Sequence, residues 1–119
     1  MYELIVEETF DAAHALRGYE GPCENLHGHT WKVQVLIQGE KLNQLGLLED
    51  FKSIKTVLRT VLNIYDHKHL NEIPPFDQEN PSSENLARVI YENMKSKIAS
   101  VKKVSVWESA TSCASYRIS

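Results

Sequence analysis

The sequence predicts an α+β fold, and three observations carry that prediction. Residues 2–14 and 27–39 alternate apolar and polar side chains, the two-residue period of half-buried strands. Residues 51–65 and a stretch opening near Pro81 repeat their apolar positions at the helical period. Strands then helices then strands, in the order ββααββ, keep the helices apart from an antiparallel sheet.

The first strand places Leu4, Val6, Phe10, Ala12 and His14 on one parity and Glu3, Glu7, Thr9 and Asp11 on the other. His14 therefore ends the strand on its inward face. Residues 15–26 contain Gly18, Gly21 and Pro22 and read as a loop. In the second strand, Trp31, Val33, Val35 and Ile37 share the parity of His27 and His29, against Lys32, Gln34 and Gln38. Residues 40–50 connect to the first helix and end in Glu49-Asp50, a plausible N-cap. That helix, 51–65, buries Phe51, Ile54, Leu58, Val61, Leu62 and Tyr65 and exposes Lys52, Lys55, Arg59 and Asn63.

Residues 66–81 read as a loop holding Asp66-His67-Lys68-His69 and the breaker Ile73-Pro74-Pro75. The second helix starts at Pro81-Ser82-Ser83-Glu84 with Ser82 as N-cap, and Leu86, Ile90, Met94 and Ile98 recur every fourth residue. Residues 101–108 and 112–118 close the chain as a strand pair around Ser109-Ala110-Thr111.

A chain of 119 residues fits one domain, residues 1–119, and no repeat, linker or low-complexity tract divides it. With 42% hydrophobic and 24% charged residues the composition is that of an ordinary globular protein. A net charge of -3 and the lack of a basic stripe argue against a nucleic-acid partner. The apolar runs are too short to span a membrane. The opening Met1-Tyr2-Glu3-Leu4 lacks the layout of a signal peptide, and two cysteines make no disulfide framework. Together these predict a cytoplasmic location.

The histidines carry the functional signal. His27 and His29 point to one face of a strand, and His14 can bring a third imidazole from its neighbour. A single strand histidine is usually structural, but three on matched faces favour a metal. Neutral imidazole suits zinc, copper, iron and nickel alike. Zinc is the default, with an open position for water or substrate. Cys23, four residues before His27, sits among loop residues rather than core. It can be a fourth ligand closing a structural site, or a base or nucleophile whose thiol a nearby metal acidifies.

Asp66 beside His67 is a possible proton relay, although such a pair alone is more often an ordinary loop or cap feature. His69 is the expected bystander. Glu108 falls on the apolar parity of Val104 and Val106, where an acid needs a partner: a ligand with a cationic or amidine-like edge, or an internal Arg or Lys. Glu84, in the first turn of a helix, is explained by the helix dipole alone.

The order of H…C-x-x-x-H-G-H, D-H-x-x-L, [ST]-[ST]-E-N and the strand-end glutamate resembles the 6-pyruvoyl-tetrahydropterin synthase / 6-carboxytetrahydropterin synthase family over nearly the whole chain. The resemblance implies the tunnelling fold, a four-stranded antiparallel sheet with two helices on one face. It also implies a homohexamer built as a dimer of trimers, with active sites between subunits. His14, His27 and His29 would hold zinc, Cys23 would transfer the proton, and Asp66 with His67 would form its relay. Glu108, helped by Ser83 and Glu84, would grip the pterin.

The implied reaction converts 7,8-dihydroneopterin triphosphate to 6-carboxy-5,6,7,8-tetrahydropterin, on the queuosine-type deazapurine route. A 6-pyruvoyl product is the neighbouring possibility. Glu24, directly after Cys23, is a second candidate base; family members using a glutamate cleave the side chain to 6-hydroxymethyl-7,8-dihydropterin for folate synthesis. The non-enzymatic alternative is a binding module around a closed site of three histidines and Cys23.

Overall fold

A computed structural model describes residues 1–119. Strands β1 (Tyr2–His14) and β2 (His27–Gly39) form a long antiparallel hairpin, register-matched from Tyr2 opposite Gly39 to His14 opposite His27. The alternation seen in the sequence is what buries them. Phe10, Ala12, His14, Trp31, Val33, Val35 and Ile37 are buried, whereas Glu3, Glu7 and Asp11 on the other parity are exposed. The intervening loop includes Gly18 at a φ of 77°, which suits a residue without Cβ, and one 3-10 turn at Pro22–Glu24.

Helix α1 (Phe51–Leu62) starts where Asp50 accepts a hydrogen bond from the Lys52 N–H at 2.8 Å. It ends three residues earlier than the periodicity suggests. Tyr65 is still buried, but in the turn that follows. Phe51, expected inside, is half exposed. Helix α2 (Ser83–Lys97) is capped by Ser82 Oγ, which accepts from the Asn85 N–H at 3.1 Å. Both helices lay Ile54, Leu58, Leu62, Leu86, Ile90 and Met94 on the same face of the sheet. No helix is long and apolar enough to cross a membrane.

The expected four-stranded antiparallel sheet is present as β1-β2-β4-β5, and a fifth strand extends it to the order β3-β1-β2-β4-β5. The additional one, β3 (Lys68–His69), lies inside the expected 66–81 loop and pairs parallel with Ala12 and Ala13 of β1. The element order is therefore ββαβαββ, with a further 3-10 turn at Leu70–Glu72. Two polar residues have no periodicity to read; the open backbone edge of β1 makes them a strand.

The closing pair, β4 (Val101–Ser109) and β5 (Ser112–Tyr116), contains two register slips. Against β2, Val101 faces Ile37 and Lys103 faces Leu36, so Lys102 is the extra residue. That slip lets Val101 and Val104, three apart, both reach the core. Against β5, Trp107 faces Cys113 and Ser109 faces Ser112, so the bulge falls on Glu108. Bulges next to functional sites re-aim a side chain, and this one aims a carboxylate.

Candidate active site

The hairpin register puts His14 directly opposite His27, with His29 two residues further along the same face. Three imidazoles meet at the loop end of the hairpin. His14 is fully buried against Trp31, whose ring lies edge-on to those of His14 and His29 with centroids 4.8 and 5.1 Å away. Trp31 is itself fixed by its indole N–H on the Ala12 carbonyl at 3.2 Å.

Hydrogen bonds set the tautomers. His14 Nδ1–H donates to the Pro81 carbonyl and His27 Nδ1–H to the Asn25 carbonyl, each at 2.7 Å. A carbonyl can only accept, so each ring, when neutral, carries a lone pair on Nε2. Those two Nε2 atoms are 3.1 Å apart. With both rings neutral, two lone pairs so close are stabilised by a cation between them. His29 Nε2 is buried and has no hydrogen-bond partner, although Glu108 Oε1 lies 3.0 Å away. Burial lowers the pKa of both His14 and His29, opposed mainly by the Pro81 carbonyl at His14 and by Glu108 at His29, and so favours the neutral, metal-ligating form.

The ligand atoms of His14, His27, His29 and Glu108 lie within 4.8 Å of one another. Three imidazole donors can hold a divalent metal such as zinc with a position left open, and Glu108, bonded to Ser83, borders them. Cys23 is not among the atoms gathered there, so this arrangement does not form the closed site of three histidines and Cys23. Cys23 and Glu24 lie in the 3-10 turn, the former half-buried and the latter exposed.

Glu108 does have an internal partner, of a kind the sequence did not suggest. Its Oε1 is beside the His29 imidazole, and its Oε2 accepts from Ser83 Oγ at 3.2 Å. Ser83, Glu84 and Glu108 line a cavity of about 270 Å³ together with Ser112, Cys113 and Ala114. The start of α2 and the bulge of β4 thus bring the three expected pterin-binding residues to one recess.

Asp66 and His67 stand on the outer edge of β1. Asp66 Oδ1 accepts from the Asp11 N–H at 2.9 Å and faces His67 Nδ1 at 3.0 Å. The His67 N–H donates back to the Asp11 carbonyl at 2.6 Å. This bracket holds His67 at a φ of 60°, a left-handed conformation uncommon for a residue with a Cβ. The Asp11 N–H lowers the Asp66 pKa most; His67 and Arg59 add to it, against partial burial. His67 and His29 both line a cavity of about 540 Å³ that also includes Asp11, Thr30 and Lys68. His69 stays outside both clusters, with Nδ1 3.4 Å from Glu72 Oε1.

Sequence reasoning missed the groups that orient these side chains. The carbonyls of Pro81 and Asn25 leave no side-chain signal. Asp11, which brackets the dyad through its backbone and accepts from Thr30 Oγ1 at 2.5 Å, looked like any exposed strand acid.

Comparison with known proteins places this geometry in context. A family model described as 6-pyruvoyl tetrahydropterin synthase matches residues 3–119. The chain is 36% identical over 108 residues to the dihydroneopterin monophosphate aldolase of Pyrococcus furiosus, covering 88% of each chain. It is 32% identical over 122 residues to the 6-carboxy-5,6,7,8-tetrahydropterin synthase of Synechocystis, covering 98% of this chain and 93% of the other. Among solved structures, the 6-pyruvoyl tetrahydropterin synthase of Caenorhabditis elegans superposes with a TM-score of 0.91 at 26% identity, over 99% of this chain and 96% of that one.

Proposed function

Since the chain belongs to the 6-pyruvoyl tetrahydropterin synthase family, we propose that it is a zinc-dependent lyase converting 7,8-dihydroneopterin triphosphate and water to 6-carboxy-5,6,7,8-tetrahydropterin, with release of triphosphate and of the two terminal side-chain carbons as acetaldehyde, the ring being reduced as the first side-chain carbon is oxidised. The observation that carries this reading is the convergence of His14, His27 and His29, whose ligand nitrogens lie within 4.8 Å of one another and of a Glu108 oxygen. When bound there, zinc supplies Lewis acidity that stabilises negative charge developing on the substrate side chain.

The protein's own groups do the rest. Glu108, with Ser83 and Glu84, accepts the amidine-like N–H edge of the pterin; a carboxylate meets such an edge with two parallel hydrogen bonds. The Cys23 thiolate removes a proton from the side chain. His67, whose Nδ1 is held by Asp66 and whose side chain borders the cavity, carries the second proton. Holding the pterin at one end and the bases at the other is catalysis by positioning.

The assembly belongs to the same proposal. The His67 side chain is 78% exposed, and Cys23 lies on a separate exposed loop. A homohexamer made as a dimer of trimers would bring a neighbour's relay to the metal and exclude water between them.

A second reading has its own support. Glu24 is an exposed carboxylate adjoining Cys23, and a relative at 36% identity is named a dihydroneopterin monophosphate aldolase. In that reading Glu24 is the base, and the product is 6-hydroxymethyl-7,8-dihydropterin. Mass spectrometry of the products formed from dihydroneopterin triphosphate by Cys23→Ala and Glu24→Ala separates the two. We expect Cys23→Ala to abolish the 6-carboxy product and Glu24→Ala to retain it. Hydroxymethylpterin from the parent enzyme, lost in Glu24→Ala and kept in Cys23→Ala, would establish the second reading instead.

A further inference from the structure

The outer edge of β1 is more than a sheet margin. Between Thr9 and Ala13 its free backbone groups are taken up in sequence. Thr9 O accepts from Arg59 Nη1 at 3.0 Å, Asp11 N–H donates to Asp66 Oδ1, Asp11 O accepts from the His67 N–H, and Ala12 and Ala13 pair with β3. Arg59, reaching over from α1, therefore fills the rung next to the Asp66–His67 dyad.

Its guanidinium is only partly used. Nε donates to Asn63 Oδ1 at 3.2 Å and Nη1 to Thr9 O, while Nη2 is buried with no hydrogen-bond partner. Asp66 Oδ2 lies 3.9 Å from that orphan donor. Asp66 thus has one oxygen engaged by Asp11 and His67 and the other facing the buried Nη2 of a guanidinium that is 36% exposed, whose Nη1 also lies 3.9 Å from Glu8 Oε2. The His67 ring itself is largely in solvent, so its orientation depends on Asp66.

We propose that Arg59 is a positioning residue: its guanidinium holds Asp66 so that Oδ1 fixes His67 Nδ1 and Nε2 is presented to the cavity. The kinetic part rests on His67 being the proton relay; the orientation of the ring does not. A buried N–H left without an acceptor is costly, which gives Arg59 a reason to keep the carboxylate ionised and close. A carboxylate that carried the proton itself would lose its grip on the imidazole.

The test pairs Arg59→Met, which keeps the stem and removes the charge, with Arg59→Lys, His67→Asn and the double variant of Arg59→Met with His67→Asn. Zinc content is measured for each. Steady-state kinetics with dihydroneopterin triphosphate are read beside imidazole nitrogen-15 NMR of His67. We expect Arg59→Met to lower kcat by about tenfold to a hundredfold, within the range a general acid–base group supplies. KM and zinc content should change little, the His67 Nδ1–H signal should be lost, and Arg59→Lys should restore part of kcat.

In the His67→Asn background Arg59→Met should cost nothing further, because its effect runs through that ring. Losses that multiply in the double variant, or wild-type kcat and ring signals in Arg59→Met, overturn the proposal. If His67→Asn alone retains full activity, the relay reading fails instead. The His67 signals in Arg59→Met then decide the positioning by themselves.

Discussion

Single atoms decide what this site can do. The Nδ1–H bonds of His14 and His27 fix which nitrogen is free, and the 3.1 Å approach of the two Nε2 atoms follows. The types and spacing of the three histidines were legible in the sequence; the carbonyls that orient them were not, because backbone acceptors come from the fold. Losing any one of the three should therefore abolish tight zinc binding. His29→Ala should retain substoichiometric zinc after dialysis, by atomic emission, with far-ultraviolet dichroism unchanged.

Asp66 gives a pH prediction at the same scale. The Asp11 N–H, with His67 and Arg59, pulls its folded pKa below the reference value of 3.8. A depressed carboxylate contributes stability that is fully present above the unfolded value and is lost as pH falls through the folded one. Acid unfolding should thus steepen below about pH 4, and Asp66→Asn should flatten that limb. Identical acid limbs in parent and variant would contradict the assignment.

At the scale of elements, the two helices and two long strands were readable because each buries a periodic face. Ser82 and Asp50 were readable as caps for the same local reason. Replacing Ser82 with Ala should cost about 1 kcal/mol in urea unfolding. Ser83→Ala, one residue on, should leave stability nearly unchanged and raise KM for the pterin, because its hydroxyl touches Glu108. Leu58→Ala, in the fully buried face of α1, should cost about 2–5 kcal/mol.

What the sequence could not show at this scale is β3 and the bulge at Glu108. Both are set by pairing partners far along the chain: β3 by the free edge of β1, the bulge by a slip of one residue between β4 and β5. Glu108 was nevertheless found, since a carboxylate at an apolar parity asks for a partner wherever it lies.

The whole molecule leaves two sheet edges exposed: β5 on one side and, beyond the short cover of β3, much of β1 on the other. Open edges invite pairing with another chain, and both flank the proposed site. The subunit count of the family's assembly was never legible in the residues alone; only the resemblance supplied it. Sedimentation of the zinc-loaded protein should give a hexamer, and mixing Cys23→Ala with His67→Asn subunits should raise activity well above the residual level of either variant alone. If the three-histidine cluster is the metal centre of a pterin lyase, activity follows its occupancy. The most direct measurement is a zinc titration of the metal-stripped protein, with products from dihydroneopterin triphosphate followed by mass spectrometry. 6-Carboxytetrahydropterin should rise with zinc and level at one ion per chain; product formed without metal, or none at saturating zinc, would show that the cluster is not that centre.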